Sequence, residues 1–212
     1  LARIKLQAPD RSFSAKCLFF LKRPDKLRIV ILDFFNQPAL FLVAGNDAGL
    51  TMFTPSTNIC YGGKATPENM DRAFGIPLSA RDILDAVLGP APETVPADTA
   101  FSVDQQDSLY RVSLISAEQR QTLLTEPGRD LLRQYTKAVR NEPLFTCTYA
   151  EHKTIDGLLI PSKREIRLPA HDTALSITFT NQSTKQLQAE LFTFTPPATA
   201  QLLPLARILQ PR

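Results

Sequence analysis

Between Cys17 and Phe53 the chain is a series of strand-like runs dominated by aromatic and branched apolar residues, several of them patterned with a period of two, with turn residues between the runs. In Phe13–Leu21, the residues Phe13, Ala15, Cys17, Phe19 and Leu21 alternate with Ser14 and Lys16, until Leu18 and Phe20 interrupt the polar side. Leu27, Ile29 and Ile31 then alternate with Lys26 and Arg28, and afterwards with Val30 and Leu32. Opposite faces at successive residues are what a strand imposes, so this part of the chain predicts consecutive antiparallel strands. Asp33–Pro38 and Asn46–Gly49 supply the turns. Pro38–Ala44 is apolar on both faces and reads as a strand covered on both sides.

The period then changes. Thr66 is an N-cap, Pro67 occupies the first helical position and Gly75 follows the last, which predicts a short helix. Ser79 caps a second helix with Asp82 three residues on, and Leu78 and Ile83 are spaced as a hydrophobic staple. Ile83, Leu84, Val87 and Leu88 make one apolar face, and Gly89–Pro90 stops the helix. Pro90–Asp98 is a proline-rich connection within one domain, because strands resume beyond it. Leu109–Ser116, Leu144–Ala150, Leu158–Leu168, Ala174–Thr180 and Gln186–Thr195 read as strands, with Asp156–Gly157 as a hairpin turn. Arg129–Val139 has helix-like spacing at Leu131, Leu132, Tyr135 and Val139, but its setting favours a strand. About ten strands and two early helices emerge, with no internal repeat.

Bulk properties narrow the function classes. At 212 residues the chain is most simply one domain, 1–212, able to bury a sizeable core. Its net charge of +3 comes from 24 basic against 21 acidic residues, too even for a dedicated nucleic-acid binder. No run reaches membrane-spanning length and none opens the chain as a signal sequence. Cys17, Cys60 and Cys147 are widely spaced, which excludes C-x-x-C metal and redox motifs. They fit either one disulfide and a free thiol or three core thiols, and Cys17 and Cys147 lie among alternating strand residues as core residues would. His152 and His171 stand near loop or strand ends with no nucleophile placed beside them. G-x-S-x-G, H-E-x-x-H and Walker-type motifs are missing, so neither an enzyme nor a cofactor is expected. What remains is an apolar β structure, either filled solidly or enclosing an apolar ligand.

Particular motifs carry a family likeness. FLKRPDKL at Phe20–Leu27 and LFTFTPP at Leu191–Pro197 resemble the bacterial periplasmic lipoprotein carrier LolA. GIPLSARDILDAVLGPAP at Gly75–Pro92 and LDFFNQPAL at Leu32–Leu40 resemble LolB, the outer-membrane lipoprotein receptor. The likeness runs through nearly the whole chain in matching order. It implies a single curved antiparallel sheet, an unclosed half-barrel of about eleven strands, whose short helices cover the concave face as a lid. It implies a periplasmic protein whose partners are lipoprotein acyl chains or lipids, the outer-membrane surface, and a periplasmic carrier or receptor protein. The LolB likeness further implies anchorage through a lipid on an N-terminal cysteine. With Leu1 first and Cys17 in mid-strand, that anchor and the family's first helix are expected outside the chain given.

The same resemblance assigns residues. Phe19, Leu21, Leu27, Ile29, Ile31, Phe41, Val43 and Met52 are expected as cavity walls, with Ile83, Leu84, Val87 and Leu88 on the lid. Each buried CH₂ of an acyl chain contributes about 0.8 kcal/mol, so a chain of ~16 carbons gains on the order of 10 kcal/mol gross without any polar contact. Arg23 matches the arginine of the KRP motif, which in the family hydrogen-bonds the lid backbone as a latch. Phe34 and Phe35 match a LolB loop with a protruding apolar residue and are expected to touch the membrane. Two other functions fit the residues: a carrier of free lipids on the same fold, and a structural or interaction subunit of the cell envelope. A hydrolase fits them least.

Overall fold

The computed structural model describes residues 1–45, 49–90, 98–129 and 131–208, and only the backbone of Gln106. The Asn46–Gly49 turn and the Pro90–Asp98 connection lie largely outside the described residues. Fourteen described strands form one sheet: β1 (Ala2–Ala8), β2 (Arg11–Lys22), β3 (Lys26–Leu32), β4 (Pro38–Gly45), β5 (Gly49–Thr54), β6 (Ile59–Gly63), β7 (Ala100–Gln106), β8 (Leu109–Ile115), β9 (Gln119–Glu126), β10 (Leu131–Val139), β11 (Glu142–Ile155), β12 (Leu158–Leu168), β13 (Thr173–Phe179) and β14 (Gln201–Pro204). Their order is β14-β6-β5-β4-β3-β2-β1-β13-β12-β11-β10-β9-β8-β7, which leaves two open edges. The protein is mainly β with an unclosed sheet, as expected, and two short helices, α1 (Pro67–Phe74) and α2 (Ala80–Leu88), interrupt the strands. The short β14 joins β6 in parallel, whereas β2 to β6 and β7 to β13 pair antiparallel.

Contacts gather the chain into two compact units. The first holds Leu1–Ile4, Ser14–Leu84 and Thr184–Arg212; the second holds Lys5–Phe13 and Asp85–Ser183.

The helices begin and end where their capping chemistry predicts. The Thr66 hydroxyl accepts from the Asn69 amide at 3.3 Å, and Gly75, at φ 79°, returns its N–H to the Asp71 carbonyl. The Ser79 hydroxyl accepts from the Asp82 amide at 3.1 Å and donates to the Asp82 carboxylate at 2.6 Å. Leu78 and Ile83 are both buried, as a staple requires. The Asp156–Gly157 hairpin has both residues at positive φ, 50° and 80°, the signature of a type I′ turn.

The strand count of fourteen exceeds the expected eleven, and one strand reading fails. Gln186–Thr195 is not a strand; it contains a 3-10 turn at Ala189–Phe192, and its backbone is held by side chains of the sheet. Lys22 Nζ donates to the Leu187 carbonyl at 3.3 Å and Arg28 Nη1 to the Leu191 carbonyl at 3.1 Å. Alternation in Leu191–Phe194 comes from a segment laid across a sheet face, which also buries every second side chain. β6, β7, β9 and β14 went unread because they are short, polar, or end in glycine or proline. Within Arg129–Val139, Leu131–Val139 is strand β10, as the setting favoured. Register shifts between Leu132 and Gln134 and between Lys137 and Ala138 broke its alternation.

Candidate functional site

Register assigns the first unit's side chains to faces, because directly opposed antiparallel residues point the same way. Ile29 opposes Phe19 on β2 and Leu42 on β4, and Leu42 opposes Met52 on β5. Leu27 likewise opposes Leu21 and Ala44, and Ile31 opposes Cys17 and Leu40. One face therefore carries Phe19, Leu21, Leu27, Ile29, Ile31 and Met52, six of the expected wall residues, together with Cys17, Leu40, Leu42, Ala44 and Leu50. No charged side chain interrupts these rows. Leu27, Ile29, Leu42 and Met52 are buried, whereas Phe19, Leu21, Ile31 and Leu40 keep part of their surface open. Helix α1 lies against β5 and the 3-10 turn Leu205–Arg207, and Leu205 presses on Gly63, whose added Cβ would stand 2.8 Å from Leu205 Cδ1.

Phe41 and Val43 do not lie on that face. They oppose Phe53 and Thr51 and point to the other face. Because β4 is apolar on both sides, its sequence carried no marker of which parity faces which way. Phe41 instead stacks on Phe194 with centroids 5.4 Å apart, Phe53 and Phe194 lie at 5.3 Å, and the Arg28 guanidinium sits 5.6 Å over the Phe41 ring. The FTFTPP segment is thus a strap over the second face. Asn58 Nδ2 fixes its far end to the Thr199 carbonyl at 2.8 Å. Beside it runs an open apolar groove of about 420 Å³ lined by Cys60, Phe194, Pro196 and Leu202 among others.

The β3–β4 loop is ordered by its own polar groups while presenting two aromatics outward. Asp33 accepts from the Gln37 amide through its carboxylate at 2.7 Å and from the Asn36 amide through its carbonyl at 3.1 Å, and Lys16 Nζ donates to Asn36 Oδ1. Phe34 and Phe35 are 92% and 76% exposed, their rings edge-to-face at 5.5 Å. Arg23 lies half-buried at the β2–β3 turn, joined to Pro24 by a cis peptide bond.

The second unit contains a set of side chains that sequence reasoning missed. The last carbonyls of a helix lack intrahelical partners, and α2 has no basic residue in its own last turn. Strands supply both needs. Tyr149 on β11 donates its hydroxyl to the Ala86 carbonyl at 2.8 Å, and Arg164 on β12 donates Nε to the Val87 carbonyl at 2.9 Å. Arg164 is 3% exposed, with its guanidinium 4.5 Å from the Phe179 ring and further hydrogen bonds to the Pro161 carbonyl and Gln182. Burial pushes this guanidinium down to about 10, still cationic at neutral pH and well placed at a helix C-terminus. The same burial raises the Tyr149 phenol well above its usual value. Lys137 on β10 reaches Asp85 on α2 at 3.9 Å, and the Tyr135 hydroxyl donates to Gln121 at 2.8 Å. Of the expected lid residues, Ile83, Leu84 and Val87 are buried and Leu88 is exposed. The signal that could have found the Arg164–Tyr149 pair is an arginine and a tyrosine at positions whose strand neighbours, Ile166 and Cys147, are core-facing.

No protein-family model matches the chain, and no curated protein matches it. Solved structures do. A LolA superfamily protein of Nitrosomonas europaea superposes with a TM-score of 0.59 at 13% identity, covering 91% of this chain and 88% of that one. A domain named for outer-membrane lipoprotein sorting from Vibrio parahaemolyticus gives 0.57 at 10% identity, covering 90% and 86%. A DUF1329 family protein of Desulfovibrio piger gives 0.57 at 12% identity, covering 91% and 87%. The fold is that of LolA/LolB-like proteins.

Proposed function

We propose that this protein binds lipid or lipoprotein acyl chains on the apolar face of its first unit, and carries or receives them in the bacterial periplasm at the outer-membrane surface. The observation that carries the reading is that face itself: uninterrupted by charge from Cys17 to Met52, and partly open at Phe19, Leu21, Ile31 and Leu40. A hydrocarbon chain needs only such a surface. The fold shared with lipoprotein-sorting proteins supports the same class of cargo.

Transfer on this reading involves no chemistry. Cargo moves between this chain and a periplasmic carrier or receptor protein down a gradient of affinity. Movement of α2 is limited by the hydrogen bonds from Tyr149 and Arg164, and Arg23 is the corresponding latch candidate at the β2–β3 turn. The exposed Phe34–Phe35 pair meets the membrane, since an aromatic tip with no protein cover is stabilised by an apolar medium. Mass spectrometry of lipids extracted from the purified protein tests the proposal. Copurifying acyl chains, reduced in an Ile31→Lys variant that keeps its circular dichroism spectrum, are the expected result. Recovery of no lipid from a protein that also fails to take up added acyl chains would overturn it. Comparing Arg23→Ala with Arg164→Met for the rate of uptake distinguishes the two latches.

A further inference from the structure

The two edges of the sheet are built differently. Strand β14 is four residues long, ends in Pro204 and turns at once into the 3-10 turn Leu205–Arg207. Strand β7 is seven residues long, and among the described residues it pairs on one side only, with β8. Its register runs without a shift from Ala100 opposite Ile115 to Gln106 opposite Leu109. Edge strands are ordinarily guarded against further pairing by lysine, proline, a bulge or a covering element. β7 has no lysine, no proline and no bulge. Its one charge, Asp104, lies directly across from Arg111 of the same hairpin. Phe101 and Val103 point to one face, beside Leu114 and Val112 of β8, and are 75% and 58% exposed.

We propose that β7 pairs with the β7 of a second copy of this chain, antiparallel about a two-fold axis perpendicular to the sheet, forming a homodimer through the second unit. The strand is complementary to itself. With the axis at Ser102, Phe101 of each copy opposes Val103 of the other, and Ala100 opposes Asp104. The two apolar strips then meet on one face and no like charges are opposed. An axis at Val103 would set Phe101 against Gln105, so the Ser102 register is the better match. A second copy is the occupant that presents this same strand, which among the described residues carries no lysine, proline or bulge and whose one acidic residue lies across the hairpin from Arg111.

Sedimentation velocity of the full chain over a concentration series should show a monomer–dimer equilibrium. Val103→Lys and Val103→Pro, the latter removing an N–H that points away from β8, should each weaken it by roughly tenfold or more, with unchanged circular dichroism. Cysteine cross-linking reads the register directly, because Cys17, Cys60 and Cys147 are buried and give little background. Ser102→Cys should form a covalent dimer on mild oxidation, while Ser108→Cys, in the β7–β8 turn, should not. A monomer at every concentration would overturn the proposal. So would a dimer that neither β7 substitution weakens, or one that Ser108→Cys traps as readily as Ser102→Cys.

Discussion

The three thiols show how far burial alone controls a residue's chemistry here. Cys17 and Cys147 are pushed from an ordinary value of 9.0 up to about 12 by burial, and Cys60 is raised by the same cause. A disulfide-forming reagent at pH 8 should therefore modify none of them in the folded protein and all three after denaturation. The linkage has a definite sign. The unfolded chain gives up these protons first, so the stability they contribute is whole below pH 9 and falls as pH rises toward 12. Denaturant titrations at pH 8 and pH 10 should show the loss. Gly49 is constrained in another way. It sits at φ 67°, and an added Cβ would lie 2.6 Å from the Gly63 carbonyl oxygen on the neighbouring strand. Gly49→Ala meets both the left-handed penalty and a backbone collision, and should lower stability by about 2 kcal/mol in urea unfolding.

At the scale of elements, α2 is held by partners that its own sequence does not announce. Removing the Tyr149 hydroxyl leaves the Ala86 carbonyl buried without its partner, which costs about 1–3 kcal/mol. Tyr149→Phe should accordingly speed amide exchange in α2 while leaving the strands protected. Arg164→Met should do so more strongly, because it also removes a charge from the helix C-terminus. The ends of both helices were legible because capping is local: Thr66, Ser79, Gly75 and Gly89 act within a few residues. The partners of α2 were not, because they come from β11 and β12, more than sixty positions away. The face of β4 was equally hidden. With both parities apolar, only its pairing with β3 and β5 reveals that Leu42 and Ala44, rather than Phe41 and Val43, share the face of Ile29 and Met52. In the same way, Leu191–Phe194 looked like a strand because a strap on a flat surface buries alternate side chains.

For the molecule as a whole, the proposed function gives the apolar face and the exposed loop separable contributions. Phe35→Glu should impair delivery of cargo to phospholipid vesicles while leaving uptake intact, since Phe34 and Phe35 lie on a loop ordered by Asp33 and Lys16 and outside the wall rows. Equal loss of uptake would show that the loop belongs to the binding surface. The central claim is that the face bearing Ile31, and not the face bearing Phe41, receives the acyl chain. The chain contains no tryptophan, so one introduced indole is a clean reporter. Single variants Ile31→Trp and Phe41→Trp, titrated with a brominated fatty acid, test the claim most directly. Strong, saturable quenching at position 31 with little at position 41 is predicted; quenching as strong at position 41, or none at 31, would contradict the account.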